Sequence, residues 1–322
     1  MQIKCESLIK DNNEFTKSKM LEQFNMPSRQ KVEQALLQIL LKHGGVIKEF
    51  GPGQEIVDEI ANDFGLNENQ RSAFLQTIYR KENRVKKAFL WHRLLFRAAD
   101  ALAKEKFVSR PTQTFQLMKK KEWMLTEKGF DEALKISNIP SVKKDTLPIK
   151  SYEVQKIVKK LIDSPRPENY NPFDKGKKII KTTIEVTIRN RGFRQAIIDA
   201  YDYKCSVCRM KINSPDSLSW EVEAAHIVPH SFQGRDDIWN GLALCHLHHW
   251  AFDVGWFTLQ DDYTIRVSSR ASSVPSDFGI LGNYEFIKEI SSSYTKIFLP
   301  NRSTLYPHQH AIRWHRENIF HK

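Results

Sequence analysis

Apolar positions recur at helical spacing from Pro27 onward. Val32, Ala35, Leu36, Ile39 and Leu40 share one face, after a Pro27-Ser28 start and before a Gly44-Gly45 stop. The same spacing predicts a second helix over Gln54–Phe64, with Ile56, Val57 and Ile60 inward and Gly65 ending it. Residues 68–105 read as helical throughout. Arg71 to Tyr79 is amphipathic, and Arg84 to Lys104 carries Val85, Phe89, Leu94, Leu95 and Leu102 between basic residues. Lys106-Phe-Val-Ser-Arg-Pro, Thr114-Phe-Gln-Leu-Met and Trp123-Met-Leu then predict a short hairpin, closed by a helix that Thr126 caps. Residues 1–26 are polar and fit a short helix or a loose tail.

The pattern changes over 138–180, where Ile139-Pro, Leu147-Pro, Ser164-Pro-Arg-Pro and Tyr170-Asn-Pro separate lysine-rich stretches. A linker is expected there, with one helix over Tyr152–Ile162. Within Lys177–Thr187 and just beyond it, the run Ile184-Glu-Val-Thr-Ile looks like a strand, and Arg191 to Tyr201 like an amphipathic helix. Glu221–Val228 alternates as a strand does, and Pro229 ends it. Residues 230–238 are polar and form a loop. A second strand at Leu242–Leu244 leads to a helix over His246–Phe252. Tyr263–Val267 reads as a further strand, 268–283 as a Ser/Gly-rich loop and Ala311–Phe320 as a terminal helix. The expected organisation is a tail (1–26), a helical domain with a β-wing (27–137), a linker with a helix (138–180) and a C-terminal domain (181–322).

Two sets of residues interleave between Cys205 and Leu259. Cys205-x-x-Cys208 is followed about forty residues later by Cys245-x-x-His248, and each pair can bite one edge of a tetrahedral metal. Ordinary core cysteines have no reason to fall into two spaced pairs completed by a histidine. The fourth cysteine, Cys5, stands alone in the polar tail. A disulfide framework belongs to oxidising compartments. No signal peptide is read at the N-terminus, so a structural Zn²⁺ and a cytoplasmic location are expected. The second set is His226, Asn240 fourteen residues on, and His249 nine further.

Strand, loop, strand and helix carrying these residues resemble the HNH endonuclease family and its ββα-metal finger. His226-Ile-Val-Pro, Asn240-Gly-Leu and Phe252-Asp-Val-Gly carry the resemblance, which covers 189–260 and extends to Trp314-His-Arg-Glu-Asn. Phosphodiester hydrolysis needs a nucleophilic water, charge neutralisation and help for the leaving oxygen. Histidine suits the base because its ordinary pKa lies near the working pH, which gives that role to His226. His249 is then the ligand of a catalytic Mg²⁺ or Mn²⁺. The resemblance implies that Asn240 holds the loop in shape and orients the base. In many family members an Asp or His just before the base is a second ligand. Here that position is Ala225, and Glu223, two residues back on the same strand face, is the substitute. His230, His246, His308, His310 and His315 are expected to be solvated or core histidines.

At 322 residues the chain is long enough for two or three domains, and 40% apolar residues suffice for packed cores. No apolar run approaches the ~20 residues that cross a membrane, so no membrane partner is expected. The net charge of +12 suggests a polyanion, nucleic acid first. Its placement says more: thirteen Lys or Arg stand against four acids between Arg80 and Glu122, or +9 of the +12. Arg84, Lys86, Lys87, Arg93 and Arg97 are the candidate DNA contacts. Residues 27–137 resemble the winged-helix domain of Mrr-type restriction enzymes, through a diffuse apolar pattern that includes Asn83-Arg-Val and Trp123-Met-Leu-Thr-Glu-Lys-Gly. Winged helices also bind proteins, so basic charge and a nuclease neighbour favour DNA.

The reading is an α+β chain: an N-terminal winged-helix domain plus a C-terminal zinc-stabilised ββα-metal nuclease domain. It acts as a metal-dependent endonuclease on double-stranded DNA. The pairing resembles a restriction enzyme, one responsive to modified bases, working as a homodimer for double-strand cuts. The alternatives are a mobile-element nuclease, or a zinc-containing regulator that has no need of His226, Asn240 and His249 together.

Overall fold

The computed structural model describes residues 19–51, 53–79, 84–145, 147–174, 183–215, 219–273, 289–290 and 293–321. These fall into two compact units, 1–141 with 149–152, and 142–148 with 153–322.

In the first unit, α1 (Arg29–Lys42) starts at Ser28, whose side chain accepts from the Lys31 N–H, and buries Val32, Leu36, Leu37, Ile39, Leu40 and Leu41. Gly44, at φ +70°, takes the left-handed turn that ends it. Strand β1 (Val46–Ile47) and α2 (Glu55–Asp63) follow, then the short α3 (Glu68–Ser72). The next segment departs from expectation: Phe74–Tyr79 and Arg84–Phe89 are strands β2 and β3 of an antiparallel hairpin, not parts of a helix. Val85, Ile78 and Tyr79 are strand formers, and their apolar positions fit period two as readily as 3.6 over so short a run. The helix α4 begins only at Leu90 and runs to Lys104, burying Trp91, Leu94, Leu95, Ala98, Ala99 and Leu102.

Strand β4 (Val108–Ser109) and β5 (Trp123–Leu125) pair antiparallel, and β1 joins the other side of β5, giving the order β1-β5-β4. Of the expected hairpin, Val108–Ser109 and Met124–Leu125 do pair, but Thr114-Phe-Gln-Leu-Met, read as part of it, does not. Pro111–Met118 is instead a helix, α5, with Pro111 at its first turn. Thr126 caps α6 (Glu127–Ile136) by accepting from the Gly129 N–H. Of the tail, residues 19–23 are helical, and Met20, Leu21, Phe24 and Met26 pack on Ala73 and Leu90; residues 1–18 lie outside the described residues.

In the second unit, α7 (Tyr152–Asp163) buries Val154 and Val158. The rest of the proline-rich stretch also packs here: Tyr170 is 4% exposed and its hydroxyl donates to Asp237. Ile184-Glu-Val-Thr-Ile, read as a strand, is helical instead. It forms the start of α8 (Thr183–Ala200). Local β preference yields to the apolar stripe of Ile188, Phe193, Ala196 and Ile197, which packs into the C-terminal core only if the helix continues. Residues 175–182 lie outside the described residues. Strands β6 (Val222–His226) and β7 (Gly241–Cys245) pair antiparallel, His226 opposite Gly241, and lead to α9 (His246–Asp253). Strands β8 (Phe257–Leu259) and β9 (Ile265–Val267) form a second pair. A terminal helix, α10 (Gln309–Asn318), completes the unit. No described helix is long and apolar enough to cross a membrane.

On α10, His315 is a core residue. It stacks on Phe252 with ring centroids 3.7 Å apart, and its nitrogens meet Thr258 Oγ1 at 2.9 Å and the Phe252 carbonyl at 3.1 Å. Burial holds its pKa down to about 4, against an ordinary value of 6.5. Above pH 6.5 both folded and unfolded forms are neutral and His315 adds no pH dependence. As pH falls from 6.5 toward 4 the unfolded chain takes up a proton that the folded chain refuses, so stability is lost, by up to roughly 3 kcal/mol. Tm is expected to fall across that window, and less steeply in His315→Gln; identical slopes would contradict the assignment.

Candidate active site

The loop between α8 and β6 makes a tight turn in which the Cys205 N–H donates to the Met210 carbonyl, and the Arg209 N–H to the Cys205 carbonyl. Cys205 and Cys208 stand on this turn. Cys245 ends β7, and His248 lies one turn into α9. The four ligand atoms lie within 4.8 Å of one another, with His248 Nδ1 3.0 Å from Cys245 Sγ and 3.7 Å from Cys205 Sγ. A tetrahedral Zn²⁺ with bonds of about 2.3 Å to sulfur needs donors roughly 3.8 Å apart, so these residues fit a metal of that kind. Crowding gives the same answer. Hydrogen bonds from Cys208 and then Cys245 hold the Cys205 thiol far below its usual range, while its neighbour Cys245 is pushed up by Cys205. Burial pulls His248 down, but Cys205 and Cys208 outweigh it and raise its pKa to about 9. Three thiols and an imidazole crowded this closely are a donor set for a tetrahedral cation.

His226 closes β6. Its ring stacks on Phe193 of α8, centroids 4.1 Å apart, and its Nε2 lies 2.9 Å from Asp236 Oδ1. Asp236 is 2% exposed, and its other oxygen takes Arg189 Nε at 2.8 Å. Burial pushes the Asp236 carboxyl up, but the His226 hydrogen bond and the Arg189 charge prevail and hold it below its usual value. His230 also reaches Asp236 Oδ1, at 2.8 Å.

Asn240 is fully buried and clamps the loop between the two strands. Its Oδ1 accepts from the Val228 N–H at 2.9 Å, and its Nδ2 donates to the Val228 and Arg235 carbonyls at 3.1 and 3.0 Å. The clamp fixes the chain two residues after His226. Gly234 completes it: a Cβ there would stand 1.7 Å from the Val228 carbonyl oxygen, so only glycine lets the loop close this tightly.

His249, on α9, has a carboxylate at each ring nitrogen. Nδ1 lies 3.0 Å from Glu223 Oε2, and Nε2 3.4 Å from Asp253 Oδ2. Burial lowers the His249 pKa, but Glu223 and Asp253 outweigh it and raise it. The His249 hydrogen bond holds Glu223 down, whereas burial pushes Asp253 up. His246 Nε2 approaches Glu223 Oε1 at 3.2 Å, and Arg194 at 3.7 Å. Ala225 is fully buried.

The structure thus brings together Cys205, Cys208, Cys245 and His248, and sets His226, Asn240, Glu223 and His249 around one strand pair. It separates the five basic candidates onto two elements: Arg84, Lys86 and Lys87 on strand β3, and Arg93 and Arg97 on helix α4. The helix expected to present all five therefore does not exist. Sequence reasoning missed Asp253, although it stands four residues after His249, one helical turn away. It missed Asp236 and Arg189 for lack of any periodic signal. His230, expected to be solvated, is exposed yet tied to Asp236.

This strand–loop–strand–helix with its knuckle defines a class: the family model for HNH endonucleases matches residues 205–260. Residues 205–260 thus carry an HNH endonuclease domain. A solved structure described as the modification dependent TagI restriction endonuclease is similar at 20% identity over 39% of this chain and 37% of that one, with a TM-score of 0.28. The chain thus spans little more than a third of the solved structure it is similar to. No curated protein matches the sequence.

Proposed function

We propose that the chain is a restriction endonuclease whose N-terminal unit reads double-stranded DNA, modified bases included, and whose HNH domain cuts it as a homodimer. The observation that carries the chemistry is the pairing of His226 with buried Asp236 beside His249 flanked by two carboxylates. Asp236 accepts the Nε2 proton of His226 and leaves the Nδ1 lone pair to take a proton from water. Asn240 holds the strand end that carries this ring. A divalent ion, Mg²⁺ or Mn²⁺, supplies Lewis-acid stabilisation of the phosphoryl oxygens and the leaving group when bound. The residues fit it: Glu223, at Nδ1, would orient the His249 ring, in the way carboxylates orient ligating histidines, and His249 Nε2 and Asp253, 3.4 Å apart, would hold the ion. Glu223 is then a positioning residue, and Asp253 takes the ligand role that Ala225 cannot. Zn²⁺ in the Cys205, Cys208, Cys245 and His248 cluster is structural. A cytoplasmic location agrees with this function.

The winged-helix reading of 27–137 draws support from helix α4, the β4–β5 pair and the joining β1, since a helix followed by such a three-stranded sheet is how winged helices are built. The 138–180 segment then belongs to the nuclease side as much as to a linker, through α7 and Tyr170.

The test is binding and cutting of methylated and unmethylated duplexes by the parent and by a chain with Arg84, Lys86 and Lys87 all changed to Gln. The parent should prefer a modified duplex. The triple variant should bind less tightly and with a flatter salt dependence, because each lost phosphate contact removes released counterions. Equal cutting of every duplex would remove the modification reading, and equal salt slopes would remove the reader.

A further inference from the structure

His230 opens the short turn His230–Phe232 after β6. Its Nε2 and that of His226 converge on one oxygen, Asp236 Oδ1, at 2.8 and 2.9 Å. The two rings stand 4.6 Å apart, and the three donor atoms lie within 4.8 Å of one another. Asp236 is 2% exposed and its Oδ2 is held by Arg189, so Oδ1 is fixed in direction. Two imidazoles and one carboxylate oxygen form a donor set for borderline transition ions, whereas Mg²⁺ prefers oxygen ligands in near-octahedral array. A tetrahedral ion with bonds of about 2.0–2.2 Å needs donors roughly 3.4 Å apart. Both rings must then draw back from Oδ1 by about half an ångström: His230, at 55% side-chain exposure, does so freely, and His226, at 19%, by a small turn of its ring.

We propose that His226, His230 and Asp236 form a second metal site, for a transition ion such as Zn²⁺, Co²⁺ or Ni²⁺, and that its occupation takes His226 out of catalysis. The inference rests on the reading of His226 as the base. A neutral imidazole has one N–H and one lone pair. With the proton on Nε2, shared with Asp236, Nδ1 can accept a proton from water. An ion on Nε2 uses the lone pair of that nitrogen, and the ring's single proton must then sit on Nδ1. No lone pair remains for water, and nothing is oxidised or reduced. The second imidazole at the His226 site favours a borderline ion over Mg²⁺, whereas the His249 site offers one imidazole and one carboxylate.

The test uses the full-length, zinc-loaded protein and its His230→Ala variant, with Co²⁺ as the probe. Equilibrium dialysis should find a Co²⁺ ion bound by the parent that His230→Ala binds roughly ten- to a hundred-fold more weakly, as for lost metal-site support. In Mg²⁺-supported cleavage, Co²⁺ should inhibit the parent at concentrations that leave the variant active, while the two cut alike with Mg²⁺ alone. Equal Co²⁺ binding by both proteins overturns the site. Equal inhibition of both overturns the switch, because the ion then acts at His249. Should the parent bind the extra Co²⁺ through His230 and yet cut no DNA with Mg²⁺, the site stands and the nuclease reading of His226 is what fails.

Discussion

A His226→Ala protein is expected to fold and bind DNA like the parent and to cleave it roughly a hundred-fold more slowly or worse, the usual contribution of a general base. In the proposed role the group would act on water in the transition state and not on the bound duplex, so affinity should not change. The fold should survive because no buried charge is orphaned: Asp236 keeps His230 at 2.8 Å and Arg189 at 2.8 Å. What is lost is a ring stacked on Phe193 at the end of β6. His249→Ala should fail differently. Its deficit is in metal affinity, so raised Mg²⁺ or Mn²⁺ should restore part of the rate, whereas no metal rescues His226→Ala. Single-turnover cleavage, with DNA binding and thermal melting measured on the same preparations, checks both. Undiminished cutting by a well-folded His226→Ala protein would place the site elsewhere.

Cys208→Ser is expected to unfold the C-terminal unit. The metal would tie the Cys205–Cys208 turn to the β7–α9 junction, which joins the strand paired with the His226 strand to the helix that carries His249. A structural zinc contributes on the order of 10 kcal/mol of apparent folding free energy, as much as the whole stability of an ordinary domain. Cys205 and Cys245 are themselves buried members of the core of this unit, so the cluster without metal would bury thiols and a histidine with no cation. Elemental analysis should find zinc in the parent and little in the variant, which should lose its cooperative melting transition or precipitate. A parent free of zinc that still melts cooperatively would refute the zinc assignment.

The site was legible in the sequence where chemistry imposes spacing. Cys205-x-x-Cys208 and Cys245-x-x-His248 are set by the reach of two ligand pairs around one ion. The run from Glu221 to His249 alternates, breaks at Pro229 and resumes, which places β6, the loop, β7 and α9. Side chains that meet across space left no such trace. Asp236 and Arg189 are 47 residues apart and meet at 2.8 Å only because α8 packs beside β6. The β2–β3 hairpin escaped notice because Arg71 to Phe89 carries apolar residues compatible with either period, and pairing with a neighbour decides between them. Ile184-Glu-Val-Thr-Ile shows the reverse error. There β-branched residues suggested a strand, and the need to carry Ile188 and Phe193 into the core made a helix.

The central claim, a metal-dependent nuclease site at His226 and His249, is tested most directly on supercoiled plasmid. The full-length protein is incubated with Mg²⁺, stripped with a brief chelator treatment, and returned to Mg²⁺, while its zinc content is followed. Cutting should stop on chelation with zinc retained, because four protein ligands enclose that ion, and should resume with Mg²⁺ in the parent but not in His226→Ala. Cutting that persists through chelation, or that His226→Ala recovers as fully as the parent, would contradict the account.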